Sequence, residues 1–117
     1  MKDILDIYEE NRPWGSFRKF TENELSTIKI IFINPNEILS LQSHNNRSEF
    51  WRVIKGDGVF EIGDKEYKVE EGGEAYVPKD TKHRIKAGSC GLEILEISFG
   101  NFEESDITRY EDKYGRS

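Results

Sequence analysis

His44 and His83 are the only imidazoles in the chain, and each lies near oxygen donors in sequence or across a turn. Within LSLQSHNNRSEFW (39–51), Gln42 and His44 are two residues apart and Glu49 follows five residues later. Side chains alternate faces along an extended strand, so Gln42 and His44 project to one side. Glu49 opens the next run of strand-forming residues, on one face with Trp51 and Val53. A reversal at Asn45-Asn46 that paired the two strands would add its carboxylate to the amide oxygen and the imidazole. His83, after the Pro78-Lys79-Asp80 turn, is the candidate fourth donor. Two nitrogens, a carboxylate and an amide oxygen form a mixed set suited to zinc, manganese or a similar divalent ion. Spacing alone favours the plainer reading, in which His44 is a loop histidine and Glu49 a solvated charge.

The elements that must position these donors are short. Runs rich in β-branched and aromatic residues cover 26–33, 38–44, 49–54, 58–62, 65–69, 74–77, 83–86 and 92–99. Between them stand Asn34-Pro35-Asn36, Gly56-Asp57-Gly58, Gly63-Asp64, Gly72-Gly73 and Gly88, each read as a chain reversal. Eight short strands with little helix between them predict an all-β antiparallel sandwich or small barrel and exclude a parallel α/β sheet. Ile4, Leu5, Ile7 and Tyr8 fall at helical spacing, which predicts a short N-terminal helix. Ser105 and Gly115 are placed to cap and end a second helical turn near the C-terminus.

Composition narrows the function classes. The chain of 117 residues fits one domain, and with 35% hydrophobic and 12% aromatic residues it has enough apolar surface to fold. A net charge of -6 provides no basic footprint, so nucleic acid and anionic membrane surfaces are not expected partners. With neither a leader-like segment nor a long apolar run, the expected location is cytoplasmic. Cys90 is the single cysteine, which excludes an internal disulfide and a thiolate-rich metal cage; in its Gly-Ser-Cys-Gly setting it is read as incidental.

The ligand region resembles the cupin family, whose first motif runs G-x5-H-x-H-x3-4-E-x6-G and whose second runs G-x5-P-x-G-x2-H-x3-N. Gln42 stands for the first His, His44 for the second, and Glu49 and Gly56 follow at the motif spacing. Gly72, Pro78 and His83 fit the second motif, while Asn36 departs from the opening Gly of the first and Asp80 and Ala87 from the middle Gly and final Asn of the second, positions that are not ligands. A narrower resemblance runs from Arg12 to Arg116, through RPWG (12–15), LSLQSHNNRSEFW (39–51), YVPKDTKHRI (76–85), LEILEISFG (92–100) and SDITRYEDKYGR (105–116). These segments are similar to the type II mannose-6-phosphate isomerase domain, usually the C-terminal part of a bifunctional enzyme with mannose-1-phosphate guanylyltransferase activity. That family usually reads E-H-W where this chain has Glu49-Phe50-Trp51.

The resemblance implies a single cupin domain over 1–117: a double-stranded β-helix core at about 26–100, an N-terminal arm 1–25 and a C-terminal segment 101–117. Only the isomerase half of the bifunctional enzyme is implied. It also implies a divalent metal, zinc first, held by Gln42, His44, Glu49 and His83, and conversion of mannose 6-phosphate to fructose 6-phosphate in the supply of polysaccharide precursors. Such an isomerase moves a proton between adjacent carbons, and the candidate bases on strands are Lys29, Glu93 and Glu96. Arg47 is the first candidate for the phosphate, followed by Arg12, Arg109 and Arg116, with Trp51 as a wall of the sugar pocket. A non-catalytic carbohydrate-binding cupin is the alternative, and an iron-dependent oxygenase a weaker one. A homodimer joined through sheet edges is expected by analogy.

Overall fold

The computed structural model describes residues 8–116, and its regular elements are all strands. β1 (Tyr8–Arg12) and β2 (Gly15–Lys19) form an antiparallel hairpin across Pro13 and Trp14, separate from the main sheet. The main sheet contains β3 (Ser26–Ile33), β4 (Leu41–Ser43), β5 (Arg47–Ile62), β6 (Lys65–Glu70), β7 (Glu74–Val77), β8 (His83–Gly100) and β9 (Thr108–Glu111). Its order is β6-β5-β8-β4-β9, with β3 added to β8 and β7 added to β5. Every pairing is antiparallel.

Two expected reversals are bends instead. Gly56-Asp57-Gly58 lies inside β5, and Gly88 lies inside β8. The two long strands run side by side with register shifts between Val53 and Lys55 and between Gly56 and Gly58. Gly56 has φ 94°, and a Cβ there would sit 2.0 Å from the carbonyl oxygen of Gly91. The glycine is needed because the neighbouring backbone touches it at a bulge, which bends the strand and keeps it paired.

The C-terminal helical turn is also corrected. Residues 103–107 make tight turns, and Thr108–Glu111 then pairs with β4. Thr108 and Tyr110 favour a pleated strand, and pairing with β4 outweighs the local cap signal at Ser105. The N-terminal helix expected over Ile4, Leu5 and Ile7 lies outside the described residues, and Tyr8 begins β1. Among the described residues no helix is long and apolar enough to cross a membrane.

Strand parity divides the core in two. Inside lie Trp51, Val53, Phe60, Val77, Ile85 and Ile94 with their neighbours. On the other face of β5 and β8, Phe50, Ile97 and Phe99 pack with Phe20. Across β3, β8 and β5, Lys29, Glu96 and Trp51 stand in one row and Ile31, Ile94 and Val53 in the next. The polar row therefore rests on an apolar floor, each large side chain of which contributes about 2–3 kcal/mol by burial.

Candidate metal centre

Gln42 is directly opposite His83 across the β4–β8 pairing and opposite Arg109 across β4–β9. Paired residues share a face, so the amide and the imidazole project together. His44 follows β4, and its carbonyl accepts the Asp80 N–H at 2.8 Å, which ties the Pro78-Lys79-Asp80 turn beside it. Glu49 comes from β5, opposite Ser98 of β8 and Val77 of β7. The sequence reading paired β4 with β5. Instead both strands pair with β8, which carries His83, and Glu49 arrives from the far side.

His44, Glu49 and His83 are each no more than 3% exposed. Nε2 of His44 lies 3.4 Å from Glu49 Oε2, and Nε2 of His83 lies 3.7 Å from Glu49 Oε1. One candidate ligand atom from each residue falls within 4.8 Å of the other two. Metal–donor bonds of about 2.0–2.2 Å place neighbouring donors roughly 3–3.6 Å apart, which the two carboxylate–imidazole distances of 3.4 and 3.7 Å approach. The tautomers fit too. His44 Nδ1 is 2.7 Å from the Asp106 carbonyl and His83 Nδ1 is 2.8 Å from the Thr81 carbonyl. A carbonyl only accepts, so each Nδ1 carries the proton and each Nε2 keeps its lone pair toward Glu49. Among the described residues His83 Nε2 is buried without a hydrogen-bond partner, as a metal-ligating nitrogen should be.

Burial lowers the His44 pKa to about 4, helped by the Arg47 and His83 charges and opposed by the Asp106 carbonyl and carboxylate. His83 is lowered by burial in the same way, against the Thr81 carbonyl and Glu96. Both imidazoles are thus neutral and able to ligate at neutral pH. Glu49 is oriented by Trp51 Nε1, which donates to Oε1 at 3.0 Å, and by Arg47 Nε, which donates to Oε2 at 3.3 Å. Beside it, burial and the Glu49 carboxylate push Glu96 up to about 7, against the pull of Lys29, whose Nζ is 3.4 Å from Glu96 Oε2.

Glu49 and His83 line a pocket of about 220 Å³ together with Lys29, Gln42, Arg47, Trp51 and Glu96 among others, and His44 stands outside that lining, reached through Glu49 and Arg47. Hollows of about 680, 580 and 250 Å³ are larger, but none of them is lined by His44, Glu49 or His83. The donor set, rather than volume, identifies the site. Gln42 lines it with its Oε1 accepting from Ser40 Oγ at 2.8 Å, an oxygen that retains a second lone pair.

The other candidates divide clearly. Arg47 is buried in the centre, with Nη2 at 3.3 Å from His44 Nε2 and Nη1 donating to the Glu103 carbonyl at 3.2 Å. Trp51 lies beneath Glu49, and Arg109 is placed beside Gln42. Glu93 is opposite Phe32 and Lys55, on the other face of β8 from Glu96, and leaves the set of candidate bases. Arg12 pairs with Glu10 in the hairpin, and Arg116 pairs with Asp112 in an exposed turn. Neither lines the pocket. Residue types pointed to neither Asp106 nor Thr81, because both hold the imidazoles through backbone carbonyls.

The fold is the cupin double-stranded β-helix. Oxalate decarboxylase from Bacillus subtilis superposes with a TM-score of 0.68 at 26% identity, covering 74% of this chain and 24% of that one. Xanthan biosynthesis protein XanB of Xanthomonas campestris pv. campestris is 36% identical over 108 residues, 91% of this chain. Alginate biosynthesis protein AlgA of Pseudomonas aeruginosa is 37% identical over 111 residues, 93% of this chain. The chain spans 23% of the length of each of these two relatives. Residues 3–112, which hold every donor of the pocket, match the family described as mannose-6-phosphate isomerase C-terminal, and the chain belongs to that family.

Proposed function

We propose that this domain isomerises a sugar phosphate, with mannose 6-phosphate to fructose 6-phosphate as the first reaction to test. The observation that carries the reading is a second buried carboxylate, Glu96, held near neutrality beside the imidazole–carboxylate set. His44, Glu49 and His83, with Gln42 as a neutral fourth donor, would hold a divalent ion, zinc first and manganese next. Bound there, such an ion supplies Lewis-acid stabilisation to the oxygens of an enediolate.

The chain's own residues account for the rest. Aldose–ketose conversion takes a proton from C2 and returns one to C1, while the hydroxyl proton passes between the two oxygens. Glu96 is suited to both carbon transfers, since a base near neutrality can accept a proton and give it back. Lys29 is 43% exposed and lines the pocket, so its ammonium can meet a phosphate while remaining paired with Glu96. Arg47 keeps Glu49 oriented and adds a second positive charge. Trp51 closes the apolar side and excludes water. Phe50 is fully buried in the second cluster, so the family histidine it replaces maps to a position remote in orientation from Glu49.

The test is conversion of mannose 6-phosphate by the purified chain with added zinc or manganese. Turnover that disappears with a chelator and in His44→Ala supports the reading. Saturable binding of the sugar phosphate without turnover replaces it with a non-catalytic carbohydrate-binding module. A homodimer belongs to the same proposal. β3 has one unpaired edge among the described residues, and Ile28, Ile30 and Phe32 are exposed on it, a self-complementary strand for antiparallel pairing about a twofold axis. Light scattering should give twice the 13.7 kDa chain mass, and a monomer would remove this part.

A further inference from the structure

His44 lies just outside β4, and the group that fixes its ring comes from the turn between β8 and β9. Asp106 makes three bonds there. Its carbonyl accepts the His44 Nδ1–H at 2.7 Å, its Oδ1 accepts the Asn45 N–H at 2.8 Å, and its Oδ2 accepts the Asn46 N–H at 2.9 Å. A carboxylate spanning two successive amides sets the distance between two turns, and so sets where its own carbonyl meets the ring. The same segment steadies the other residues on this side. Phe102 lies under the Arg47 guanidinium at 4.3 Å, Glu103 accepts from Arg47, and the Tyr110 hydroxyl bonds Ser43 Oγ at 2.9 Å.

We propose that Asp106 is a positioning residue for the metal centre: its side chain docks the C-terminal segment on the 45–46 turn, so that its carbonyl holds His44 with Nε2 bare toward Glu49. The inference rests on the metal reading above and on no particular substrate. Asp106 supplies no ligand, yet loss of a partner that orients a ligating imidazole lowers metal affinity by about 10–100-fold. In Asp106→Ala the carbonyl survives but its anchor does not, which leaves the Arg47 Nη2 contact at Nε2 as the remaining hold against the other tautomer, the one that places a proton on the ligating nitrogen.

The experiment compares the full chain with Asp106→Ala, Asp106→Asn and Asp112→Asn. Zinc affinity is measured by competition with a chelating dye, without substrate, and the imidazole tautomers of the metal-free proteins by long-range nitrogen–proton correlation. Asp106→Ala is expected to bind zinc about 10–100-fold more weakly and to gain the Nε2–H form at His44 alone. Asp106→Asn keeps an oxygen acceptor for one of the two amides and should recover part of the loss. Asp112 caps Tyr114 and Arg116 without touching the centre, so its variant should match the parent. Unchanged zinc affinity in a folded Asp106→Ala overturns the proposal, as does an equal tautomer change at His83, which would mean general loosening. If Asp106→Ala does not fold, Asp106→Asn decides, with parent-like affinity and tautomers counting against it. A chain that binds zinc but does not turn over sugar phosphate defeats the proposed function and leaves this inference standing.

Discussion

The two imidazoles of the centre are held by different kinds of structure. His83 begins the 18-residue strand β8, opposite Gln42 and Ile62, with its ring at 5.5 Å from that of Trp51. Its position follows from backbone ladders on both sides and from the apolar cluster beneath. His44 follows a three-residue strand, and its ring is held from outside the ladder, at Nδ1 by the Asp106 carbonyl of the C-terminal segment and at Nε2 by Arg47 Nη2. The first ligand is positioned by paired strands over the apolar core, the second by turns outside the ladder, a kind of element that in general opens at lower cost. A centre built this way can keep most of its donors fixed while one wall responds to its surroundings.

The largest effect should come from the rigid wall. Glu96→Gln keeps the shape and the neutral form but removes the base, so turnover should fall by about 10²–10⁴-fold with zinc affinity little changed. Steady-state assay alongside zinc titration checks this. Equal loss of both would make Glu96 a structural partner of Glu49 and would remove the distinction between base and ligand. Trp51→Ala should come next. It leaves a cavity under Glu49 and takes away the Trp51 bond to Oε1, for a loss of about 3–5 kcal/mol in denaturant unfolding. A loss below 1 kcal/mol would mean that the floor is not what keeps this wall rigid.

How much of this was readable beforehand follows the same division. Alternation along 49–53 placed Glu49 with Trp51, and the two meet through the bond from Trp51 Nε1 to Oε1, whereas β4 ends at Ser43 and His44 lies beyond the reach of its alternation. Phe50 behaves as parity requires, facing the second cluster. The span of β3 is also the one read from its β-branched run. Three things were not readable. Gly56 and Gly88 have the composition of turns, and only contacts from a partner strand make them bends. The partner of β4 is chosen by the whole sheet, since β4 and β5 follow one another and yet both pair with β8. The hold on His44 passes through a backbone carbonyl, which has no residue type to announce it. Phe50→His tests the parity argument. The imidazole would enter an apolar cluster, lowering stability by about 2–3 kcal/mol without changing zinc affinity. A gain in turnover would show that the family histidine acts from this face.

Acid should expose a balance between the two kinds of group. In the metal-free protein, His44 has a folded pKa near 4 against 6.5 unfolded, so its stabilisation is complete above 6.5 and is lost as pH falls toward 4. His83, lowered in the same direction, adds to this loss. Glu96 has the opposite sign. Its folded pKa is near 7 against the usual 4.5, so its stabilisation is complete below 4.5 and is lost as pH rises through 7. Across pH 4.5 to 6.5 Glu96 opposes the two imidazoles, and the melting temperature of the parent should climb with pH less steeply than the imidazoles alone would give. Glu96→Gln removes one side, and its melting temperature should climb more steeply with pH over that interval. Parallel melting curves for the two proteins would mean that Glu96 is not held near neutrality.

The smallest effect belongs to the C-terminal segment and separates the two cations that its Phe102 ring meets. Phe102 lies at 4.3 Å from the Arg47 guanidinium and 5.1 Å from the Lys29 ammonium. Arg47 is also fixed by Glu49 and Glu103, and is almost fully buried. Among the described residues Lys29 meets Glu96 besides the ring, and its side chain is substantially exposed. Phe102→Leu keeps apolar bulk and removes the electron-rich face, a change of about 0.5–1 kcal/mol at an exposed cation. Lys29 should lose its orientation and Arg47 should not. In a chain that turns over sugar phosphate, this appears as a several-fold rise in KM with kcat and zinc affinity near the parent values. Weaker zinc binding in Phe102→Leu would mean instead that the ring acts through Arg47 on Glu49, and that both walls share one support.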